Sequence, residues 1–341
     1  MGRGMSVIKV WFNHWFSTAY HIARLMKEGR ENIWIIGSNR VEYAVMRNIC
    51  DEWYQEPDLS GEEYTEYCLE FCRRHEVDVF VPRRQMVEIS RKKALFAEIG
   101  TRILADDYEL IAVLNDKSEA YARLQGIPGV SIPQFRVADS REQLEQALND
   151  MKECWERLCI KYVNDEGALS FRVIDDYRKK SRSLNSYAGN RISSEELKQI
   201  LDEEEPPFRP IMVMPYLPGN EISVDCLSTE SGLIAVPRIK GNSRDEIVRF
   251  DEDVIEKCRK ILERFPLKTP CNIQFKLMDG VPYLLEINTR MSGGIYMTCL
   301  AAGINIPSIA LNQLLGQPVT WSLDRREKRV SYIETAVVLK E

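Results

Sequence analysis

Histidine is scarce: the 341-residue chain has 3, at positions 14, 21 and 75, too few and too scattered for a histidine-rich metal centre. No stretch reaches the ~18–20 apolar residues of a membrane span. The start, Met1-Gly2-Arg3-Gly4-Met5, lacks an apolar segment behind a basic tip, so neither a membrane partner nor an export signal is expected. A basic excess is also missing. Lys and Arg number 46 against 52 Asp and Glu, a formal net charge of -6, which speaks against nucleic acid as a partner. The short runs Arg178-Lys179-Lys180 and Arg325-Arg326 read as solvated faces. There is no G-x-G-x-x-G, so a dinucleotide cofactor has no support. The 9 cysteines lack zinc-site spacing, since Cys68 and Cys72 lie four apart on one helix with no second pair nearby. Without an export signal they are expected as reduced thiols of a cytoplasmic protein.

What is present is enough apolar material for real cores, 44% hydrophobic beside 29% charged, and a length that suggests two or three compact units. From about Ser6 to Leu104, apolar strands such as Val7–Phe12, Ile33–Gly37 and Val77–Val81 alternate with helical stretches such as Thr18–Lys27 and Tyr64–His75. That alternation predicts a parallel sheet covered by helices. Ligands of such sheets collect beyond the carboxyl ends of the strands, where Asn13-His14, Asn39-Arg40 and Arg83-Arg84 stand. A polar loop and a substrate-facing rim are both open readings of those pairs. Further on come a helix from Asp116 to Gln125, a helix from Arg141 to Lys152 and a strand from Arg157 to Tyr162. A polar connection over Asp176–Asn190 reads as mobile. A strand pair (Ile211–Met214 with Ile222–Leu227), a strand to Lys240 and a hairpin from Asn272 to Asn288 follow.

The hairpin carries the most information. Along Leu284-Leu285-Glu286-Ile287-Asn288 side chains alternate, which puts Glu286 and Asn288 on one face; Asn272, Gln274 and Lys276 share a face of the partner strand. One carboxylate and two amide oxygens suit a partly furnished Mg²⁺ site, which fills its octahedron with water and nucleotide phosphates. For Gln274 and Glu286 to face the same way, the turn near Met278-Asp279-Gly280 needs an odd number of loop residues. We therefore expect a three- or five-residue loop with Gly280 at positive φ. A two-residue Asp279-Gly280 turn would bring Ile273 to the face of Glu286 and sink the shared-metal reading. A hairpin with one wet face is the plain alternative.

N-x-Q-F followed by L-L-E-I-N-x-R-x-S-G-G resembles the metal-binding end of the ATP-grasp superfamily, especially its carbamoyl-phosphate-synthase-like branch. The narrower likeness is to ligases of bacterial biosynthetic or tellurium-resistance gene clusters. The resemblance assigns the metals bridging ATP phosphates to Gln274, Glu286 and Asn288, and contact with the transferred phosphate to Arg290. Ser292-Gly293-Gly294 would be a flexible turn near the acyl phosphate. Met214-Pro215-Tyr216-Leu217-Pro218-Gly219-Asn220-Glu221 resembles the hinge that reads adenine, through the carbonyl of Pro215 and the N–H of Leu217, with Glu221 on the ribose. Lys117 and Lys161 match the lysines that contact nucleotide phosphates. Arg238 and Lys240 match a basic pair reaching toward the phosphoryl group. The phosphate-covering loop departs from the family pattern: Asn164-Asp165-Glu166-Gly167-Ala168-Leu169-Ser170 holds one glycine and two acids, which repel phosphate unless a cation intervenes.

The resemblance implies an α/β and α+β chain. An N-terminal parallel-sheet domain (1–104) leads into a two-lobed ATP-grasp module, with the nucleotide-covering lobes at 105–215 and the metal-bearing lobe at 216–341. It implies an ADP-forming carboxylate–amine ligase using ATP and Mg²⁺, with Mn²⁺ as a substitute, acting on small-molecule carboxylate and amine substrates. A homo-oligomer is compatible with this. A kinase-like phosphotransferase, an ATP-binding module with weak turnover, and a non-enzymatic α/β interaction protein remain alternatives.

Overall fold

The computed structural model describes residues 6–14, 16–165, 167, 169–177, 189–204, 207–241 and 244–340. The polar connection expected over 176–190 falls largely on 178–188, outside the described residues. By contacts, the chain forms two units. The first holds residues 1–112, 220–275 and 286–341; the second holds 113–219 and 276–285.

The first unit opens with β1 (Ile8–Asn13), α1 (Ala19–Glu28), β2 (Ile33–Asn39), β3 (Glu52–Gln55), α2 (Gly61–His75), β4 (Val79–Val81), α3 (Met86–Arg91), α4 (Lys93–Glu98) and β5 (Arg102–Ile103). The strands form one sheet in the order β3-β2-β1-β4-β5, every pair parallel. This is the parallel sheet that the alternation predicts. A strand buried on both faces carries a continuous apolar run, and Val10, Trp11 and Phe12 of β1 are each 0% exposed. Alternate residues serve opposite faces. Val10 and Phe12 pack with α1, while Trp11 joins Ile36, Phe80 and α2 on the other side. Trp11 lies between Phe71 and Phe80, with ring centroids 4.2 Å away on each side. β3 and the break between α3 and α4 were not anticipated. Glu52–Gln55 is a short strand at the sheet's edge, half-buried and without apolar alternation.

The second unit contains the last three residues of α5 (Tyr108–Asn115) and α6 (Lys117–Leu124), β6 (Arg136–Ala138), α7 (Arg141–Cys154), β7 (Leu158–Tyr162), β8 (Arg172–Ile174), β9 (Arg191–Ile192), α8 (Ser194–Asp202) and β10 (Ile211–Pro215). Its sheet runs β6-β10-β7-β8-β9. Asp116 starts α6 by accepting from the backbone N–H of Ser118 and Glu119, and Ser193 with Glu196 forms a capping box on α8.

The remaining elements are β11 (Glu221–Thr229), β12 (Gly232–Lys240), β13 (Glu246–Val248), α9 (Glu252–Arg264), β14 (Cys271–Met278), β15 (Val281–Asn288), α10 (Ile295–Ala302), α11 (Ile306–Leu314) and β16 (Lys328–Val330). Their sheet is ordered β15-β14-β11-β12-β13-β16. The expected pairing of Ile211–Met214 with Ile222–Leu227 is corrected: β10 and β11 lie in different sheets. The Pro218-Gly219 break between them ends one ladder before the next begins. The base of the β14–β15 hairpin belongs to the first unit and its tip to the second. Within the first unit, Leu227, Ile234 and Val236 share one core with Val10, Phe12, α1, α10 and α11. Among the described residues no single helix is long and apolar enough to cross a membrane.

Candidate functional site

The hairpin turn differs from the expectation. Asp279 and Gly280 alone connect β14 to β15, with φ of 53° and 78°. Two successive positive φ values make the primed turn that matches strand twist in two-residue hairpins. Gly280 has the expected sign of φ, but the loop has an even residue count. The inference drawn from loop parity assumed a regular ladder, and β15 is not regular. Pro282 and Leu284 are buried, but the next buried residue is Ile287, so the alternation slips by one residue in between. A β-bulge produces such a slip. The Tyr121 hydroxyl lies 2.9 Å from the Leu284 carbonyl oxygen and 2.7 Å from that of Leu285. A regular strand would point those two carbonyls to opposite edges.

Beyond the slip, Glu286 and Asn288 lie away from the buried Ile287, and Asn288 Nδ2 donates to Glu286 Oε1 at 2.9 Å. On β14, half-buried Gln274 donates to Asn272 Oδ1 at 3.0 Å. The slip therefore offsets the parity of the turn, and a common polar face for Gln274, Glu286 and Asn288 is compatible with it. These donors are hard oxygens with a single carboxylate. Among the described residues no three His, Cys, Asp or Glu side chains gather to hold a metal by themselves. A cation at this face would draw on amide oxygens and on a ligand's phosphates, the way Mg²⁺ is usually held.

Behind the face stands a buried polar system that the sequence reading assigned differently. Arg238, expected to reach a phosphoryl group, is 1% exposed. Its Nε donates to Thr298 Oγ1 at 2.7 Å and Asp225 Oδ2 at 3.2 Å. Nη2 donates to Ser292 Oγ at 3.1 Å and Ser223 Oγ at 3.3 Å, and Nη1 pairs with Glu246. Burial alone would lower the pKa of this guanidinium, but Asp225 and Glu246 outweigh it and the net direction is up. Asn272, 1% exposed, extends the system by donating to Asp225 Oδ1 at 3.0 Å. Gly294 closes it: a Cβ there would lie 2.2 Å from Arg238 Nη1. The Ser292–Gly294 turn, expected to be flexible, is thus packed on Arg238. Asp225 was missed, although an acid inside the apolar run Ile222–Leu227 is a legible signal of a buried partner.

The other expected residues divide as follows. Lys240 Nζ donates to Glu221 Oε1 at 2.5 Å, and the two are register partners on β12 and β11. Arg290 donates to the Met291 carbonyl at 3.3 Å. In the second unit, Lys161 Nζ donates to the Leu285 carbonyl at 3.1 Å and lies 5.6 Å from the Tyr121 ring centroid. Lys117, 8% exposed, donates to the Asp165 carbonyl. Pro215 and Leu217 are buried on and just after β10, and the Pro215 carbonyl accepts from Cys159 Sγ at 3.6 Å. Burial pushes that thiol up to about 12. In the atypical loop, Asp165 Oδ2 accepts from Ser170 N at 2.7 Å and Oγ at 2.5 Å. One of its two acids is therefore turned into the loop's own turn; Glu166 and Ala168 lie outside the described residues.

Residues 207–336 match the model of a family described as "ATP-grasp in the biosynthetic pathway with Ter operon". The carbamoyl phosphate synthase large chain of Pseudothermotoga lettingae is 26% identical over 97% of this chain and 30% of its own length. The chain thus spans about a third or less of the curated relatives it matches. Among solved structures, N5-carboxyaminoimidazole synthetase from Staphylococcus aureus complexed with ADP superposes with a TM-score of 0.72. It is 13% identical, over 97% of this chain and 84% of that one. L-amino acid ligase from Bacillus licheniformis gives a TM-score of 0.64 and 16% identity, over 91% and 74%. The fold is that of the ATP-grasp enzymes, and the resemblance read from the motifs holds.

Proposed function

We propose that this ATP-grasp chain is an ADP-forming ligase. It uses Mg·ATP to turn a small-molecule carboxylate into an acyl phosphate, which an amine then attacks, releasing phosphate and leaving an amide-type bond. The observation that carries this reading is the polar end of the β14–β15 hairpin, where Glu286 and Asn288 emerge beyond the strand slip.

Gln274, Glu286 and Asn288 would hold the cation, and Mn²⁺ would suit the same oxygens. The cation, when bound, supplies charge neutralisation for the β- and γ-phosphates. Arg290 meets the transferred phosphoryl group, and Lys161 and Lys117 meet nucleotide phosphates. The Pro215 carbonyl and the Leu217 N–H read adenine, and a proline loses only its donor, so it can still supply a carbonyl. Glu221 takes the ribose hydroxyls, and Lys240, now on Glu221, turns to the phosphoryl group as Glu221 is engaged. Arg238, already saturated in the core, acts by fixing Ser292 and Gly294 rather than by touching ATP. Removing positive charge where negative charge develops slows phosphoryl transfer by orders of magnitude. The use of ATP and nine reduced thiols favour the cytoplasm as its compartment.

The test is substrate-dependent ADP release from purified protein with Mg·ATP and pools of amino acids, bicarbonate and small dicarboxylic acids. Glu286→Gln and Arg290→Ala should abolish release while leaving the melting temperature without ATP unchanged. Full turnover by either variant, or no Mg-dependent thermal shift with ATP, would overturn the reading.

A further inference from the structure

The first sheet has a site-like feature of its own. In the order β3-β2-β1-β4-β5 the chain leaves β1 in one direction for β2 and later returns on the other side as β4. The carboxyl ends of β1 and β4 therefore flank a topological switch point, where open α/β sheets bind ligands. Asn13-His14 stand at one end and Arg83-Arg84 at the other, with Arg40 just past β2.

Three observations mark this place as more than a polar rim. Four non-glycine residues have positive φ among the described residues; Glu76 and Gln85 cap helices and Asp279 sits in the hairpin turn, whereas His14 (44°) directly follows the switch-point strand β1. Strain of this kind gathers at functional sites. Glu56 is next. Its side chain is 0% exposed, and it accepts from Ser38 Oγ and Tyr64 OH, each at 2.8 Å. His14 Nδ1 and Arg84 Nη1 approach Glu56 Oε2 to 3.8 and 4.0 Å, short of hydrogen-bonding distance. Both atoms are buried without a hydrogen-bond partner. Buried unsatisfied groups are uncommon enough to require a cause. Thirdly, the His14 side chain is still 33% exposed, so its far edge is open while Nδ1 faces the carboxylate. Arg84 lies 4.3 Å over the Tyr64 ring, and Arg83 lies 5.0 Å over Phe16.

The loop that starts at His14 also leads to the Ser292–Gly294 turn. A Cβ on Gly293 would lie 3.8 Å from Thr18 Cγ2. His21 stacks on Tyr296 at 4.3 Å, and Tyr332 donates to the Gly293 carbonyl at 2.9 Å.

We propose that this switch point holds an anionic group of the substrate, a carboxylate or a phosphate. Arg83 is its recognising donor with Arg84 behind it, His14 lines the place as the ring that senses occupancy, and Glu56 is the buried anchor that directs His14 and Arg84. Charge-assisted hydrogen bonds from arginine are the strong ones for such groups. The assignment rests on the ligase reading for its meaning, since it says where an anionic group of that reading's substrate is held.

The experiment is NMR of the imidazole nitrogens in the full chain, titrated with inorganic phosphate and, separately, with acetate. The chain has 3 histidines, so His14→Gln identifies the His14 signal by its loss. Saturable movement of that signal, with His75 unmoved, is expected for one or both anions. The stronger of the two arms names the group. Arg83→Gln and Arg84→Gln should each weaken the response about 10-fold or more, the order expected for one hydrogen bond to a charged group. Arg83 is half-buried at the surface and keeps the test alive should Arg84→Gln fail to fold. Arg290→Ala should leave the response intact.

A stationary His14 signal with both anions overturns the assignment, as does a response indifferent to Arg83→Gln. Loss of the response in Arg290→Ala also overturns it, because the anion would then sit at the phosphoryl position. A Mg·ATP thermal shift with no His14 response leaves the ligase reading standing and removes this one. The reverse pattern does the opposite.

Discussion

Arg238 donates to Ser292 across 54 residues of sequence, Nη2 to Oγ at 3.1 Å, from a guanidinium that is 1% exposed. A charge at that depth is tolerable only because Asp225 and Glu246 accompany it. Removing it leaves two carboxylates uncompensated. Arg238→Ala should therefore lower unfolding free energy by about 3–5 kcal/mol, read from urea midpoints. A variant of unchanged stability that has merely lost ADP release would instead make Arg238 a direct phosphate contact.

Gly294 depends on the same guanidinium. Its φ of -94° is open to any residue, so backbone strain is not the issue; space is. An added methyl would meet Arg238 Cζ at 2.5 Å, whereas at Gly293 the nearest atom is Thr18 Cγ2 at 3.8 Å. Gly294→Ala should destabilise by about 1–3 kcal/mol, as overpacking does. Gly293→Ala should stay close to wild type. Differential scanning calorimetry on the two variants separates them.

At the hairpin tip, Gly280 holds φ at 78°, a region where an L side chain is strained. Gly280→Ala is expected to lose about 1 kcal/mol of stability. Asp279→Asn should be neutral, because asparagine tolerates the left-handed conformation at least as well. Equal effects of the two changes on the melting temperature would contradict a two-residue primed turn.

The hairpin also shows what a sequence of this kind does and does not disclose. The parallel sheet with its alternating strands and helices, and the polar positions on β14 and β15, follow from local periodicity and were legible, but the edge strand β3 was not. The slip between Leu284 and Ile287 was not, because a bulge adds a residue without leaving a mark in composition. A correct rule about turn parity therefore gave the wrong loop length. Arg238 failed differently. Its position on β12 was readable, but whether it points to a ligand or to Asp225, Thr298 and Ser292 depends on contacts 13 to 60 residues away. Glu56 had no signal at all: it follows an edge strand and acquires its meaning only when β1 and β4 come together.

Thiol chemistry offers a test of the packing. Of the nine cysteines only Cys154 is exposed, and burial pushes Cys50, Cys159 and Cys299 up to about 12. Since the thiolate is the reactive species, a disulfide reagent at pH 8 should titrate one thiol in the native protein and nine in urea. Cys154→Ser should bring the native count to zero. Rapid reaction of two or more native thiols would mean that one of the cores is more open than described.

The histidines set a direction for stability against pH. Desolvation lowers the pKa of His14, His21 and His75 below 6.5, with Arg24 adding to the effect at His21. In the unfolded chain each titrates near ~6.5. Between that value and the lowered native ones, the unfolded state binds more protons, so stability rises with pH and falls on acidification. Asp106 works the other way: burial raises its pKa, so protonation at low pH favours the native state, chiefly below the histidine range. The urea midpoint should therefore drop between pH 7.5 and 5.5, before most carboxylates titrate. His21 allows the cause to be isolated, because it stacks on Tyr296 with rings 21° apart at 4.3 Å. His21→Phe keeps an aromatic ring in that place and removes the proton, so it should flatten the slope without lowering the midpoint at pH 7.5. An undiminished slope in this variant would shift the cause to the remaining histidines, and a rising midpoint on acidification in the wild type would refute the account altogether.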